Sequence, residues 1–78
     1  MKRLSRFKVL PLIKENKYFE CNFIKKDNTV RNMKCTYEDN KEHLEYVIVY
    51  DTENNSYRNV NISTLITLKI KDIIYKIV

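Results

Sequence analysis

The sequence predicts a small all-β domain of five or six short antiparallel strands closed into a barrel. Three observations carry that prediction. Phe23-Ile-Lys-Lys-Asp-Asn-Thr-Val-Arg-Asn-Met33 and Val49-Tyr-Asp-Thr-Glu-Asn-Asn-Ser-Tyr-Arg58 both read as β-hairpins, with polar turn residues between alternating apolar ones. The C-terminal third is rich in β-branched residues, which favour strands. Finally, a short open sheet leaves two adhesive edges, and closure removes them.

The first hairpin follows from backbone chemistry. Lys25 to Thr29 fits a type I turn followed by a left-handed residue in a bulge, with Asn28 at the left-handed position. Pairing Lys25 with Thr29 sets Phe23 opposite Arg31, Cys21 opposite Met33 and Phe19 opposite Cys35. One face is then apolar, while Tyr18, Asn22, Ile24, Val30, Asn32 and Lys34 occupy the other. A two-residue turn on Asp27 and Asn28 would oppose Phe23 to Asn32 and Cys21 to Lys34, so the bulged turn is preferred.

Upstream, Met1 to Arg6 reads as a basic arm, partly disordered. Phe7 to Ile13 is an apolar run that first alternates and then meets Pro11. As a strand it must lie at an edge or bulge at Pro11, which has no ladder donor; a short helical turn is the competing assignment. Lys14 to Lys17 is a polar connector leading to strands over 18–25 and 29–36. Glu38 to His43 is a charged loop with room for one helical turn. Leu44 to Tyr50 is a buried strand, Asp51 to Ser56 a turn and Tyr57 to Val60 the returning arm. Asn61 to Thr64 fits a 3₁₀ turn. Leu65 to Ile70 and Ile73 to Val78 read as two more strands, although Ile70, Ile73, Ile74 and Ile77 also fit a helical stripe. The segments 7–13 and 73–78 are positioned to close the barrel by pairing; left unpaired, the last strand is a surface for self-association.

With 78 residues the chain makes one domain that buries about 60–65% of its unfolded surface. Two cysteines and one histidine are too few for a four-ligand zinc site, so no cofactor is expected. Cys21 and Cys35 are diagonal in the preferred register, on the order of 7 Å apart at Cβ, too far for an unstrained disulfide. No secretory apolar region and no apolar run near the ~20 residues of a membrane span is present, and a reduced cytoplasmic setting without membrane partners is the simplest reading. The complete absence of glycine excludes the phosphate-cradling Walker loop and the dinucleotide fingerprint. Asn28 and Asn54-Asn55 stand where positive φ is expected.

The formal charge of +5 is unevenly distributed. Residues 1–37 carry +7, residues 38–53 carry −5 and residues 54–78 carry +3. Such polarity steers polyanions or complementary proteins, or simply solvates the surface.

The segment from Phe23 to Thr36, followed by Val47-Ile-Val-Tyr-Asp51 and Tyr57-Arg58, resembles a small, largely uncharacterised phage-associated family described as WYL-like with an Sm-like, SH3-type β-barrel. The family pattern has Gly where this chain has Asn28, and Trp at the positions of Tyr50 and Tyr57. Asn suits a left-handed turn position, and Tyr keeps an aromatic platform. The resemblance covers about residues 19–68 and implies an Sm-like or SH3-like barrel of bacteriophage origin acting in the host cell. It implies no activity.

Nucleic-acid binding is the favoured functional expectation, carried by Lys25, Lys26, Arg31 and Arg58 near Tyr50 and Tyr57. Barrel proteins track the phosphates of single-stranded DNA or RNA with cations while aromatics stack on bases. The structural alternative pairs Arg31 and Arg58 with Asp27 or Asp51 and packs the tyrosines in the barrel wall. A second function is binding of a host polymerase, nuclease or defence protein through an edge or the acidic loop. A third is a nucleotide-type ligand clamped by Arg31 and Arg58 at the barrel mouth. No enzyme is expected: His43 stands in a charged loop, and the cysteines alternate as core residues do.

Overall fold

The computed structural model describes residues 1–38 and 46–78. The described chain runs through β1 (Lys2–Leu4), a 3₁₀ turn (Arg6–Lys8), α1 (Val9–Asn16), β2 (Tyr18–Ile24), β3 (Val30–Tyr37), β4 (Tyr46–Asp51), β5 (Ser56–Asn61), a second 3₁₀ turn (Ile62–Thr64), β6 (Leu65–Ile70) and β7 (Ile73–Ile77). The all-β expectation holds, with seven strands among the described residues in place of five or six. They form one sheet in the order β1-β7-β6-β2-β3-β4-β5, antiparallel except where β1 runs parallel to β7. Strands β2 to β5 form a meander, and β6 returns after the second 3₁₀ turn to pair with β2. The extents of 29 × 29 × 25 Å show how far the sheet curls, since a single flat layer would be roughly 10 Å thick.

The central hairpin adopts the bulged register. Phe23 faces Arg31, Cys21 faces Met33 and Phe19 faces Cys35. Asn28 has φ 67°, the Lys25 amide donates to the Thr29 carbonyl at 2.8 Å, and the Asn28 amide donates to the Lys25 carbonyl at 3.0 Å. Asp27 reinforces the turn by accepting from the Thr29 hydroxyl and amide, and these bonds hold its carboxyl below the usual carboxylate range. Phe19, Cys21, Met33 and Cys35 are buried. On the outer face Asn22 accepts from Asn32 and donates to Thr67, joining three strands through side-chain amides. Because a β-branched residue is forced into steric conflict at positive φ, Asn28→Val is expected to destabilise the domain by about 1–2 kcal/mol, read as a lowered urea midpoint.

In segment 7–13 the helical alternative prevails over the strand and runs longer than one turn: the chain makes a 3₁₀ turn and then eight residues of α-helix. Val9 and Ile13, four apart, are fully buried in the same cluster as the sheet residues. Pro11 is the third helical residue, where an amide would have no intrahelical acceptor, so its ring costs no hydrogen bond. The expected polar connector is mostly the last turn of this helix, which ends at Lys17 with φ 64° and its amide donating to Ile13 at 2.7 Å.

The basic arm is also paired, contrary to the disordered expectation. Lys2, Arg3 and Leu4 lie beside Tyr75, Lys76 and Ile77, and the Val78 amide donates to the Leu4 carbonyl at 2.9 Å. Arg6 then donates through Nη1 to the carbonyls of Ile62 at 2.7 Å and Leu65 at 3.1 Å, tying the N-terminal segment to the second 3₁₀ turn. Closure by pairing of 7–13 with 73–78 therefore does not occur; β1 covers β7, and among the described residues the sheet ends at β1 and β5.

The remaining local readings hold, except that of the pair Asn54-Asn55 only Asn55 takes positive φ. Tyr50 faces Tyr57, Asn55 takes φ 52°, the 3₁₀ turn forms, and β6 and β7 are strands joined by Lys71 and Asp72, with Lys71 at φ 55°. The helical alternative for residues 70–77 is thereby excluded. The charged loop expected at Glu38 to His43, including His43, and the start of the strand expected at Leu44 lie largely outside the described residues. Cys21 and Cys35 are buried and unbridged. Their mutual hydrogen bond and burial push the Cys35 thiol well above the ordinary range, away from nucleophilic reactivity. Among the described residues no helix is long and apolar enough to cross a membrane.

Candidate functional site

Strand periodicity brings three charged residues to the inner face of the sheet. On β4, Val47, Val49 and Asp51 alternate inward, while Ile48 and Tyr50 lie between them. Arg31 precedes the inward Met33 and Cys35 on β3, and Arg58 stands opposite the buried Val49 on β5. Arg31 and Arg58 both meet Asp51, the last residue of β4.

Asp51 is the organiser. Its side chain is 1% exposed, and both oxygens are used. Oδ1 accepts from the amides of Glu53 at 3.0 Å and Asn54 at 3.2 Å, closing the β4–β5 turn. Oδ2 accepts from Asn54 Nδ2 at 2.8 Å, Arg31 Nη2 at 3.0 Å and Arg58 Nε at 3.2 Å. These bonds, led by that from the Asn54 side chain and supported by the Arg31 charge, hold the Asp51 carboxyl below its usual range although burial acts the other way. Among the described residues every buried side-chain nitrogen or oxygen has a partner.

Of the two partners weighed for the arginines, the structure selects Asp51 for both. That contact does not bury either arginine: the side chains remain 26% and 41% exposed. A guanidinium has five N–H donors, and each arginine gives one of them to Asp51. The buried carboxylate thus holds two arginines that both line a groove of about 580 Å³ between the β2–β3 tip and β5.

That groove collects five of the six residues singled out in the sequence: Lys25, Lys26, Arg31, Tyr57 and Arg58. Lys25 lies 4.0 Å from Asp27, an exposed pair worth little, and Lys26 has no ion pair with a described residue. Four cations face two carboxylates, Asp27 and Asp51, so the groove has an excess of positive charge. Tyr57 is 66% exposed, which overturns the wall-packed reading for this residue. Tyr50, the sixth residue, does not line the groove; its ring meets Tyr57 edge to face at 5.1 Å and props it.

Sequence reasoning named Asp51 only as one of two partners for the arginines and did not place it among the site residues, although its inward parity after Val47 and Val49 marked it. It also missed Asn59, which lines the groove on the same strand face as Tyr57. No family model, curated protein or solved structure matches this chain.

Proposed function

We propose that this protein binds single-stranded nucleic acid, without catalysis, in the groove between the β2–β3 tip and β5. The observation that carries the reading is the anchoring of Arg31 and Arg58 on one buried carboxylate. Two guanidiniums held from behind lose little conformational freedom when they meet a phosphate, and their planar donors match its oxygens. Lys25 and Lys26 add charge along the tip, and Tyr57 offers an exposed ring for one base. The phage-associated resemblance, with action in the host cytoplasm, belongs to the same proposal.

A second reading has its own observation. β5 ends the sheet among the described residues, and the outer edge of such a terminal strand suits an extended segment of a host protein or of a second copy.

Anisotropy of labelled single-stranded DNA, single-stranded RNA and duplex DNA at two salt concentrations tests the proposal. Two to four phosphate contacts on a single strand give a log–log salt slope of about −1.4 to −2.8. Absence of binding at low salt overturns the nucleic-acid reading and turns attention to the β5 edge.

A further inference from the structure

Resting on the nucleic-acid reading of this groove, we infer that Asn59 determines specificity by reading the edge of an adenine stacked on Tyr57. The residues of β5 that follow Tyr57 on the same face are Asn59 and Asn61, and all three line the groove. Asn61 is committed to the fold, since its Oδ1 accepts from the Ser63 amide at 2.9 Å and hydroxyl at 2.7 Å. The neighbouring Thr64 hydroxyl donates to the Asn61 carbonyl at 2.7 Å. Asn59 is exposed, and its amide makes no hydrogen bond to a described residue, so both its donor and its acceptor are available.

Spacing selects the base. Alternate residues of a strand are about 6.6–6.8 Å apart, so a base centred on Tyr57 must project its edge along β5 to reach Asn59. A two-ring base does so, whereas a single ring over the same platform falls short. Among purines, adenine offers the N6 donor beside the N7 acceptor, which match the Asn carbonyl and amide; guanine offers two acceptors there, one of which faces the Asn carbonyl. Arg31, Arg58 and the lysines hold the phosphates and supply affinity without sequence, while Asn59 supplies the choice.

The test uses the full chain and eight-residue oligothymidylate carrying one central adenine, guanine or cytosine, with unsubstituted oligothymidylate as reference. The expected result is about tenfold tighter binding of the adenine strand by the unaltered protein. Asn59→Ala is expected to lose that preference, binding the adenine strand no more tightly than oligothymidylate, with its melting temperature unchanged. Stacking on Tyr57 alone also favours purines, but such a preference would persist in Asn59→Ala, and persistence overturns the inference. Equal affinity for all four strands overturns it too and leaves the nucleic-acid reading standing. Failure of every strand to bind removes both.

Discussion

Replacing Asp51 with alanine is expected to lower the stability of the domain by about 3 kcal/mol, the low end for breaking a buried ion pair. The low end applies because the abandoned Arg31 and Arg58 are partly exposed and can be hydrated. For a domain of this size the change lowers the melting temperature by about 12–24 °C, and total stability is only about 4–12 kcal/mol. Circular dichroism melts check it. A drop of a few degrees would show that the Asp51 network carries little of the fold.

The same residue sets an acid dependence. The folded state depresses the Asp51 carboxyl below its ordinary value of 3.8, so the unfolded chain takes up the proton more readily. Its contribution is therefore complete above about pH 4 and is lost as pH falls through the folded value. Asp51→Asn has no such titration, and its stability is expected to fall less steeply below about pH 4 than that of the unaltered protein. Asp27 is lowered as well, but it is solvent-exposed, so Asp27→Asn is expected to leave the acid limb nearly unchanged.

Lys25→Ala combined with Lys26→Ala is expected to weaken single-strand binding at low salt and to make the log–log salt slope shallower by about 1.4, with the melting temperature unchanged. These lysines separate binding from folding because neither is tied to the core. Arg31→Ala or Arg58→Ala does not, since each removes a groove cation and also a partner of a buried carboxylate. Tyr57→Ala is expected to cost about 1–3 kcal/mol of binding through lost stacking, a change that salt does not mimic. An unaltered salt slope in the double lysine variant would remove the β2–β3 tip from the site.

The division between local and non-local information explains what was legible. The β2–β3 register could be read because a five-residue turn with one left-handed residue and a period-two apolar pattern both favour the same pairing. The β4–β5 pairing, the 3₁₀ turn and the C-terminal strands follow from equally local preferences. So do the inward positions of Arg31, Asp51 and Arg58, which lie in step with buried Met33, Val49 and Val60.

Other features were decided by tertiary structure. The run from Phe7 to Ile13 is short enough to suit a strand or a helix, and the burial of Val9 and Ile13 against the sheet selects the helix. Lys2 to Leu4 finds its partner more than seventy residues away, in a parallel register that no turn encodes. Lys17 and Lys71 adopt positive φ in a chain without glycine, where the surrounding elements dictate the turn. The groove exists only because the sheet curls, bringing the β2–β3 tip to β5 and letting Arg31 and Arg58 meet on one buried carboxylate. The sequence by itself determined strands β2 to β7, their local pairing and the inward residues, because turn chemistry and side-chain alternation act over a few residues. Which distant segments meet, and therefore where the charges converge, depends on burying a shared core, and only the tertiary structure decided that.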